Sequence, residues 1–273
     1  MTALNTTSRT ASKANLLPIS GFRDPMSLTN CVGWWDFSAA QYLSTATNGI
    51  GAVSDGSAIA YCFDRSGNGR HLTQATANNR PTWSSTGLNS LGAGSFNGTT
   101  NFLSTAASFG PWTGDQSFSW AAVFTRAAAT SGWIACSATN VGNNSSVLIG
   151  DAYNSSFSGN RILNYGGSAI MWGTANQTTG TGFVISGYSS AGARNVSSFL
   201  RNGTQSHLTS QSATTSTLSA SAAALEMGRG YIAGYQYHNG LLAEIAIYSR
   251  VLLAAELTAL TRYLGAKWNI TVA

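Results

Sequence analysis

Charged side chains are scarce in this sequence. Only 8% of its 273 residues are Asp, Glu, Lys or Arg, against roughly 25% in ordinary soluble domains. Ser, Thr, Asn, Gly and Ala fill the surface-like positions instead. The 14 basic residues outnumber the nine acidic ones, but they are scattered, and Arg65, Arg70 and His71 come nearest to a basic cluster. The absence of a Lys/Arg run argues against a nucleic-acid partner.

Cysteines and long apolar runs are also few. Cys31, Cys62 and Cys136 are odd in number and far apart, so neither a disulfide framework nor a zinc site is indicated, and buried free thiols are expected. The first 21 residues lack the continuous apolar core of a signal peptide, and no stretch approaches 18 apolar residues. We therefore expect a protein made in a cytoplasm, without membrane insertion.

Carboxylates are too few and too dispersed to form a local catalytic pair. The nine are Asp24, Asp36, Asp55, Asp64, Asp115, Asp151, Glu226, Glu244 and Glu256. A retaining glycosidase needs two carboxyl groups about 5–5.5 Å apart, which a strand can supply from neighbouring pleats, yet no two of these nine lie within three positions. The three histidines show neither a nucleophile-elbow partner nor zinc-site spacing. We expect no enzyme, although a pair assembled from distant strands is left open.

Short aromatic and β-branched runs, separated by Gly, Asn and Ser clusters, fill the chain from Val32 onward. In the segment SFSWAAVF (117–124), Phe118, Trp120, Ala122 and Phe124 alternate with smaller residues. That period of two is typical of a strand with one face in a core. Many such strands at turn-punctuated spacing predict an antiparallel β-sandwich.

The C-terminal region follows a different period. One apolar stripe recurs at helical spacing through Leu253, Leu257, Leu260, Leu264 and Trp268. This pattern predicts a helix of about four turns that packs on the sandwich. Leu253 stands where a Ser or Thr cap is usual, so we expect the first turn to fray or to be capped in another way.

The N-terminal 30 residues are polar apart from one small apolar patch, Asn15, Leu16, Leu17, Pro18 and Ile19. Composition alone favours a disordered tail. We interpret residues 1–30 as an extended docking arm that contacts its partner through this patch, and residues 31–273 as one domain.

The segment DRSGNG (64–69) resembles part of a calcium loop. Asp64, Ser66 and Asn68 stand at its first, third and fifth positions and Gly69 at its sixth, but Ala75 occupies the twelfth, where a bidentate Glu is needed. The segment does not match a phosphate-binding loop either, because a third glycine and a following helix are missing. A glycine turn in which Asp64 accepts backbone N–H groups is the favoured interpretation, and Asp64 is kept as the single calcium candidate.

Several segments in order carry a family resemblance: GWWDFS (33–38), FDRSGNGRHLTQATANNRPTW (63–83), GSFNGTTNFL (94–103) and GLLAEIAIYSRVLLAAELTALTRYLGAKWNI (240–270). Together they resemble the laminin G-like or concanavalin A-like jelly-roll superfamily, in the version found in phage and bacterial proteins. The resemblance implies an all-β, antiparallel two-sheet jelly-roll sandwich with one C-terminal helix and an N-terminal arm. It also implies a sheet-rim calcium site in some relatives, while lectins, glucanases and structural modules all share the fold.

Function is predicted from these elements together. The leading hypothesis is a non-catalytic virion structural protein of a tailed bacteriophage, either a capsid decoration or a fibre-type protein. Its arm would dock on other virion proteins and copies of itself, with host-glycan binding as a second role. The alternative is a free lectin module, and a glycan hydrolase is third. Aromatic residues in polar loops or strand edges would bind the glycan: Trp133, Trp172, Tyr235, Tyr237 and His238.

Overall fold

The fold is that of a two-layer β-sandwich with one covering helix. In the computed structural model, the described residues are 21–112, 115–127, 132–138, 146–154, 159–165, 168–173, 179–191, 197–204, 208–211, 223–230 and 236–273. They confirm the predicted class, since antiparallel strands dominate and one α-helix follows them near the C-terminus.

Within the described residues, the first sheet has seven strands: β1 (Cys31–Asp36), β5 (Thr82–Leu88), β6 (Leu91–Asn97), β8 (Phe118–Phe124), β13 (Phe183–Ser189), β14 (Ser197–Arg201) and β19 (Asn239–Tyr248). Its order is β14-β13-β8-β19-β6-β5, and β1 continues the line of β6 along the second half of β19. Asp36 of β1 lies directly opposite Glu244 of β19 in this register.

The second sheet has ten strands in the described part of the chain, in the order β15-β12-β11-β10-β9-β16-β7-β4-β3-β2. They are β2 (Leu43–Ser44), β3 (Tyr61–Cys62), β4 (Leu72–Thr73), β7 (Leu103–Ser108), β9 (Trp133–Ala138), β10 (Ser146–Asn154), β11 (Gly159–Tyr165), β12 (Ser168–Gly173), β15 (Leu208–Gln211) and β16 (Ala224–Met227). A separate two-stranded ribbon joins β17 (Arg229–Gly230) to β18 (Gln236–Tyr237).

Two hydrophobic cores lie on opposite faces of the first sheet. Phe118, Trp120, Ala122 and Phe124 of β8 point into the core between the sheets, as their alternation predicted. The intervening Ala121 and Val123 point to the other face, which α1 (Ala254–Lys267) covers. The first sheet is therefore buried on both faces, and the outer face of the second sheet is the one that no helix covers in the described chain.

The C-terminal helix packs as its stripe predicted, with one exception. Leu257, Leu260, Leu264 and Trp268 are all at most 3% exposed, whereas Leu253 is 68% exposed. Leu253 is the residue before the helix, and its backbone N–H donates to the Glu256 carboxylate at 2.8 Å. Glu256 also pairs with Arg250, so an acidic side chain at the third helical position caps the first turn in place of a Ser or Thr.

Residues 21–30, the described part of the predicted arm, pack on the sandwich itself. The Tyr248 hydroxyl donates to the Pro25 carbonyl at 3.0 Å, and the Phe22 ring contacts Tyr263 edge-on with centroids 6.0 Å apart. A 3₁₀ turn over Pro25–Ser27 is capped by Asp24. The apolar patch Asn15–Ile19, which was expected to contact a partner, lies outside the described residues.

Candidate functional site

The turn that joins β3 to β4 is held by one carboxylate. Asp64 is 6% exposed, and its Oδ1 accepts from the backbone N–H groups of Trp34 at 3.1 Å and Ser66 at 2.9 Å, while Oδ2 accepts from Arg70 N–H at 2.9 Å. Gly67 and Gly69 adopt positive φ of 79° and 69°, which glycine takes without the steric cost of a Cβ. Asp64 therefore fixes both the turn and the edge of β1.

A pocket of about 470 Å³ opens beside this turn, on the outer face of the second sheet. Its volume falls within the roughly 300–1,000 Å³ of small-molecule sites. The lining residues come from the β3–β4 hairpin, the end of β7 and one loop: Thr47, Tyr61, Asn68, Gly69, Arg70, His71, Thr73, Thr105, Ala106, Ala107 and Ser108. The pocket thus combines aromatic, cationic and hydroxyl-bearing side chains.

Aromatic rings cluster on the outer face of the hairpin. The Tyr61 ring lies 5.1 Å from His71 and 4.8 Å from Phe63, centroid to centroid. Cys62 and Leu72, the alternate residues of the same two strands, point into the core, so strand alternation puts the rings on the face that no helix covers. Partial burial raises the pKa of Tyr61, so its hydroxyl stays protonated at neutral pH.

Two polar groups of the pocket, His71 and Arg70, have fixed orientations. His71 Nδ1 accepts the backbone N–H of Asp64 at 3.0 Å, so the neutral ring carries its proton on Nε2 and can donate there. Arg70 Nη1 donates to the Val32 carbonyl at 2.6 Å, and its guanidinium carbon lies 5.7 Å from the Phe109 ring centroid. Both side chains are positioned by the scaffold before any ligand arrives.

A row of polar side chains continues from the pocket across the sheet. Tyr61 pairs with Thr73, Thr73 with Ser104, and Ser104 with Glu226. With strands about 4.8 Å apart, these three steps cover about 14 Å. Tyr61, Thr73, Ser104 and Glu226 are all partly exposed. We call this line of four residues the open-face row.

The far end of the row is an ordered ion pair. Arg229 Nε donates to Glu226 Oε2 at 2.7 Å, and Arg229 Nη2 donates to Oε1. The Arg229 guanidinium lies 3.4 Å over the Phe102 ring and also hydrogen-bonds Tyr237. A bidentate Arg–carboxylate pair of this kind holds the Glu226 side chain in one orientation.

A second pair of carboxylates, Asp36 and Glu244, assembles from distant strands but lies beneath α1. Their side chains are 1% and 0% exposed, and Lys267 Nζ bridges them at 2.8 and 2.7 Å. Glu244 also accepts from the indole N–H groups of Trp34 and Trp268, each at 2.8 Å. Burial and the Asp36 charge raise the pKa of Glu244, and Lys267 opposes them. No substrate can reach this pair, because the helix and its own partners enclose it.

The structure separates the five predicted glycan-binding residues. Trp133 and His238 are core residues with 0% exposure, so the expectation that they lie at a loop or exposed edge was wrong. His238 contacts the Phe96 and Phe124 rings, and burial lowers its pKa to about 4. Tyr237 is partly exposed beside Arg229, at the far end of the open-face row. Tyr235 and the side chain of Trp172 lie outside the described residues.

The carboxylate of Asp64, the proposed calcium ligand, makes all its described hydrogen bonds with backbone N–H groups. Around it, and elsewhere in the described ranges, no group of three His, Cys, Asp or Glu side chains could hold a metal ion. This geometry matches the glycine turn, and a calcium role for Asp64 stays a prediction. The three cysteines are free and buried, as expected. No described helix is both long and apolar enough to span a membrane.

Sequence reasoning missed the pocket residues Tyr61, Arg70 and His71 as a site. The signal was present in the run YCFD, because a period of two that places Cys62 in the core places Tyr61 and Phe63 on the opposite face. The pairing of that strand with β4, which brings His71 beside Tyr61, depends on the length and geometry of the 64–70 turn.

Comparison with known proteins gives a fold likeness. No protein-family model matches the chain, and no curated protein matches its sequence significantly. Among solved structures, it is similar to domain 4 of AbnA, a GH43 extracellular arabinanase from Geobacillus stearothermophilus, in complex with arabinotriose. The TM-score is 0.57 at 15% identity, over 85% of this chain and 98% of that one.

Two further likenesses cover only part of the other protein. A GH54 α-L-arabinofuranosidase mutant, soaked with 4-nitrophenyl α-L-arabinofuranoside, matches at a TM-score of 0.60 and 14% identity, over 87% of this chain and 63% of that one. A Trypanosoma rangeli sialidase matches at 0.54 and 12%, over 89% of this chain and 34% of that one. This chain therefore spans less than two thirds of the arabinofuranosidase and about a third of the sialidase.

These likenesses correct the functional expectation. The prediction of a non-catalytic phage virion protein, and of a chain that is no enzyme, is wrong: the similar structures belong to glycoside hydrolases, namely an arabinanase, an arabinofuranosidase and a sialidase. None of the three is named as a phage or laminin G protein. What they establish at this level of identity is the β-sandwich fold.

Proposed function

We propose that this chain is a glycan-directed domain of a carbohydrate-active protein, which binds an oligosaccharide along the open-face row with one sugar ring on Tyr61. The observation that carries the proposal is the juxtaposition of the Tyr61 ring, the His71 donor and the pocket at one end of a polar row about 14 Å long. We also propose, from the order of its motifs, that the chain belongs to the laminin G-like or concanavalin A-like superfamily.

The chemistry of the pocket suits a sugar. A sugar ring presents an apolar face that packs on an aromatic ring, while its hydroxyl groups need several donors and acceptors around them. The aromatic surface comes from Tyr61, and Thr73, Asn68 and His71 surround it with hydroxyl, amide and imidazole groups. The likeness to an arabinanase domain that covers 98% of that chain, in complex with arabinotriose, supports the same ligand class.

The test is calorimetric titration of the purified chain with arabinotriose and with trisaccharides of other composition. Tyr61→Ala should reduce the affinity for any bound glycan about tenfold or more, because aromatic contacts of this kind contribute about 1–3 kcal/mol at desolvated sites. Tyr188→Ala, a partly exposed tyrosine on β13 of the other sheet, is the matched control and should bind as the parent does. Equal loss in the two variants, or none in either, would contradict the proposal.

Glycoside hydrolysis is the second candidate, and the likeness to the arabinofuranosidase favours it. Glu226 is the residue to test, because it is the partly exposed carboxylate of the open-face row. Both of its carboxylate oxygens accept hydrogen bonds from Arg229, and one carboxylate of a glycosidase pair acts as nucleophile or base. Release of 4-nitrophenol from an aryl arabinofuranoside, lost in Glu226→Gln but retained in Asp55→Asn, would support hydrolysis. Absence of release by the parent chain would count against it.

A further inference from the structure

We propose that the pocket selects an acidic sugar, such as a uronic acid unit, by pairing the sugar carboxylate with the Arg70 guanidinium while the ring lies on Tyr61. This inference rests on the proposed function and names its substrate class. A neutral glycan would use the same aromatic surface but would leave the strongest donor of the pocket unmatched.

The Arg70 side chain presents the edge that carboxylates bind. Its Nη1 is occupied by the Val32 carbonyl at 2.6 Å. In the described chain no hydrogen bond or ion pair engages its Nε or Nη2, and neither atom is among the buried unpartnered ones. The Nε–Nη2 edge is the two-donor fork that holds a carboxylate through parallel hydrogen bonds. The Val32 contact and the Phe109 ring hold the guanidinium in place, which reduces the entropy lost on binding.

The other ionisable groups of the pocket complement an anion. No Asp or Glu is among its lining residues, all of which are described. The nearest carboxylate, Asp64, directs both oxygens at three backbone N–H groups and is 6% exposed. His71 adds a second donor, Nε2, beside the Tyr61 ring. An anion entering this pocket thus meets a guanidinium and an imidazole N–H, with no described carboxylate exposed in its lining.

The wider charge distribution points the same way. Arg65, which lies within the same turn, pairs with Asp36 and stands between the Trp34 and Tyr42 rings, 3.8 and 4.0 Å from their centroids. Its charge is therefore matched within the fold, whereas that of Arg70 is not. The chain carries a formal charge of +5, and a net positive protein attracts anionic ligands at long range. Arg70 is the cation placed to convert that attraction into a specific contact.

The experiment compares trigalacturonic acid with its fully methyl-esterified form, because esterification removes the carboxylate charge and adds only a methyl group to each unit. By calorimetry at low salt, the acid should bind the parent chain roughly tenfold or more tightly than the ester, as a charge-assisted pair is worth about 1.5–3 kcal/mol. Arg70→Gln should remove this preference and leave ester binding nearly unchanged. Arg70→Lys, which keeps the charge but not the fork, should retain only part of it.

Controls separate this inference from the proposed function. Arg262→Gln removes one exposed cation from α1 and should keep the full preference for the acid. Tyr61→Ala should weaken both ligands. If acid and ester bind equally and both depend on Tyr61, selection of an acidic sugar is refuted while glycan binding stands. If neither ligand binds, or binding ignores Tyr61, selection of an acidic sugar is refuted, and the titration of arabinotriose and other trisaccharides decides separately whether the proposed function stands. Melting temperatures of all variants check that each is folded.

Discussion

Replacement of Lys267 by methionine tests the buried charge network directly. Lys267 Nζ lies 2.8 Å from Asp36 Oδ2 and 2.7 Å from Glu244 Oε2, and the two carboxylates are at most 1% exposed. Lys267→Met keeps the apolar stem and deletes the charge, so Glu244 loses its cation and Asp36 keeps only Arg65. Removing one partner from a buried ion pair costs about 3–5 kcal/mol. Because Lys267 itself is 19% exposed, we expect the lower end, about 3 kcal/mol.

The pH dependence of that loss supplies a second, independent readout. Burial and the Asp36 charge raise the pKa of Glu244, and Lys267 lowers it, so the variant raises it further. A carboxyl group with a higher pKa in the folded state holds its proton more tightly when folded. Stability is then retained below the unfolded pKa of about 4.3 and lost as the pH rises above it. The penalty of Lys267→Met should be larger at pH 8 than at pH 5.

Urea unfolding monitored by tryptophan fluorescence measures both effects, because Trp34 and Trp268 contact Glu244 directly. Arg262→Met removes an exposed cation from the same helix and should change the free energy of unfolding by no more than about 0.5 kcal/mol. A loss below about 1 kcal/mol in Lys267→Met, or a penalty that is the same at both pH values, would refute the network as the attachment of the helix.

Three further predictions concern burial, the helix and the turn. Burial lowers the pKa of His238 to about 4, so His238 takes up a proton below about pH 6.5 in the unfolded chain but only near pH 4 in the folded chain. The melting temperature of the parent should therefore fall between about pH 6.5 and pH 4, and it should fall less steeply in His238→Gln. Equal slopes of melting temperature against pH in the two proteins would contradict this prediction. Leu264→Ala should cost about 2–5 kcal/mol in urea unfolding, while Leu253→Ala, at an exposed cap, should change it by less than about 0.5 kcal/mol; similar losses would overturn the assigned helix face. Asp64→Ala should cost about 2 kcal/mol or more, since three backbone N–H groups lose their acceptor, and EDTA should leave the melting temperature of the parent unchanged. A drop in EDTA that calcium reverses would instead place a cation at Asp64.

The parts of the candidate site that could be predicted are those formed by residues close together in the sequence. The turn at Asp64 and the outward aromatic residues depend on contacts within about a dozen positions, and alternation and glycine placement reveal them. The open-face row joins residues as far apart as Tyr61 and Glu226, and no local pattern encodes which strands become neighbours. Trp133 and His238 were misplaced for the same reason, since polar surroundings in sequence do not tell which residues a second sheet will cover.

The sequence by itself determined the sandwich, the helix and its buried face, and the free buried thiols, because each follows from the period of apolar residues or from a residue count. The motifs in the sequence also include Asp36, Glu244, Lys267 and Trp268, but they do not reveal that these residues contact one another. Only the tertiary structure shows that these four residues meet beneath one helix. The carboxylate pair of Asp36 and Glu244 is therefore enclosed and closed to substrate. It likewise decided that Tyr61, Arg70 and His71 share one pocket, because register between strands is set by turns and core packing together.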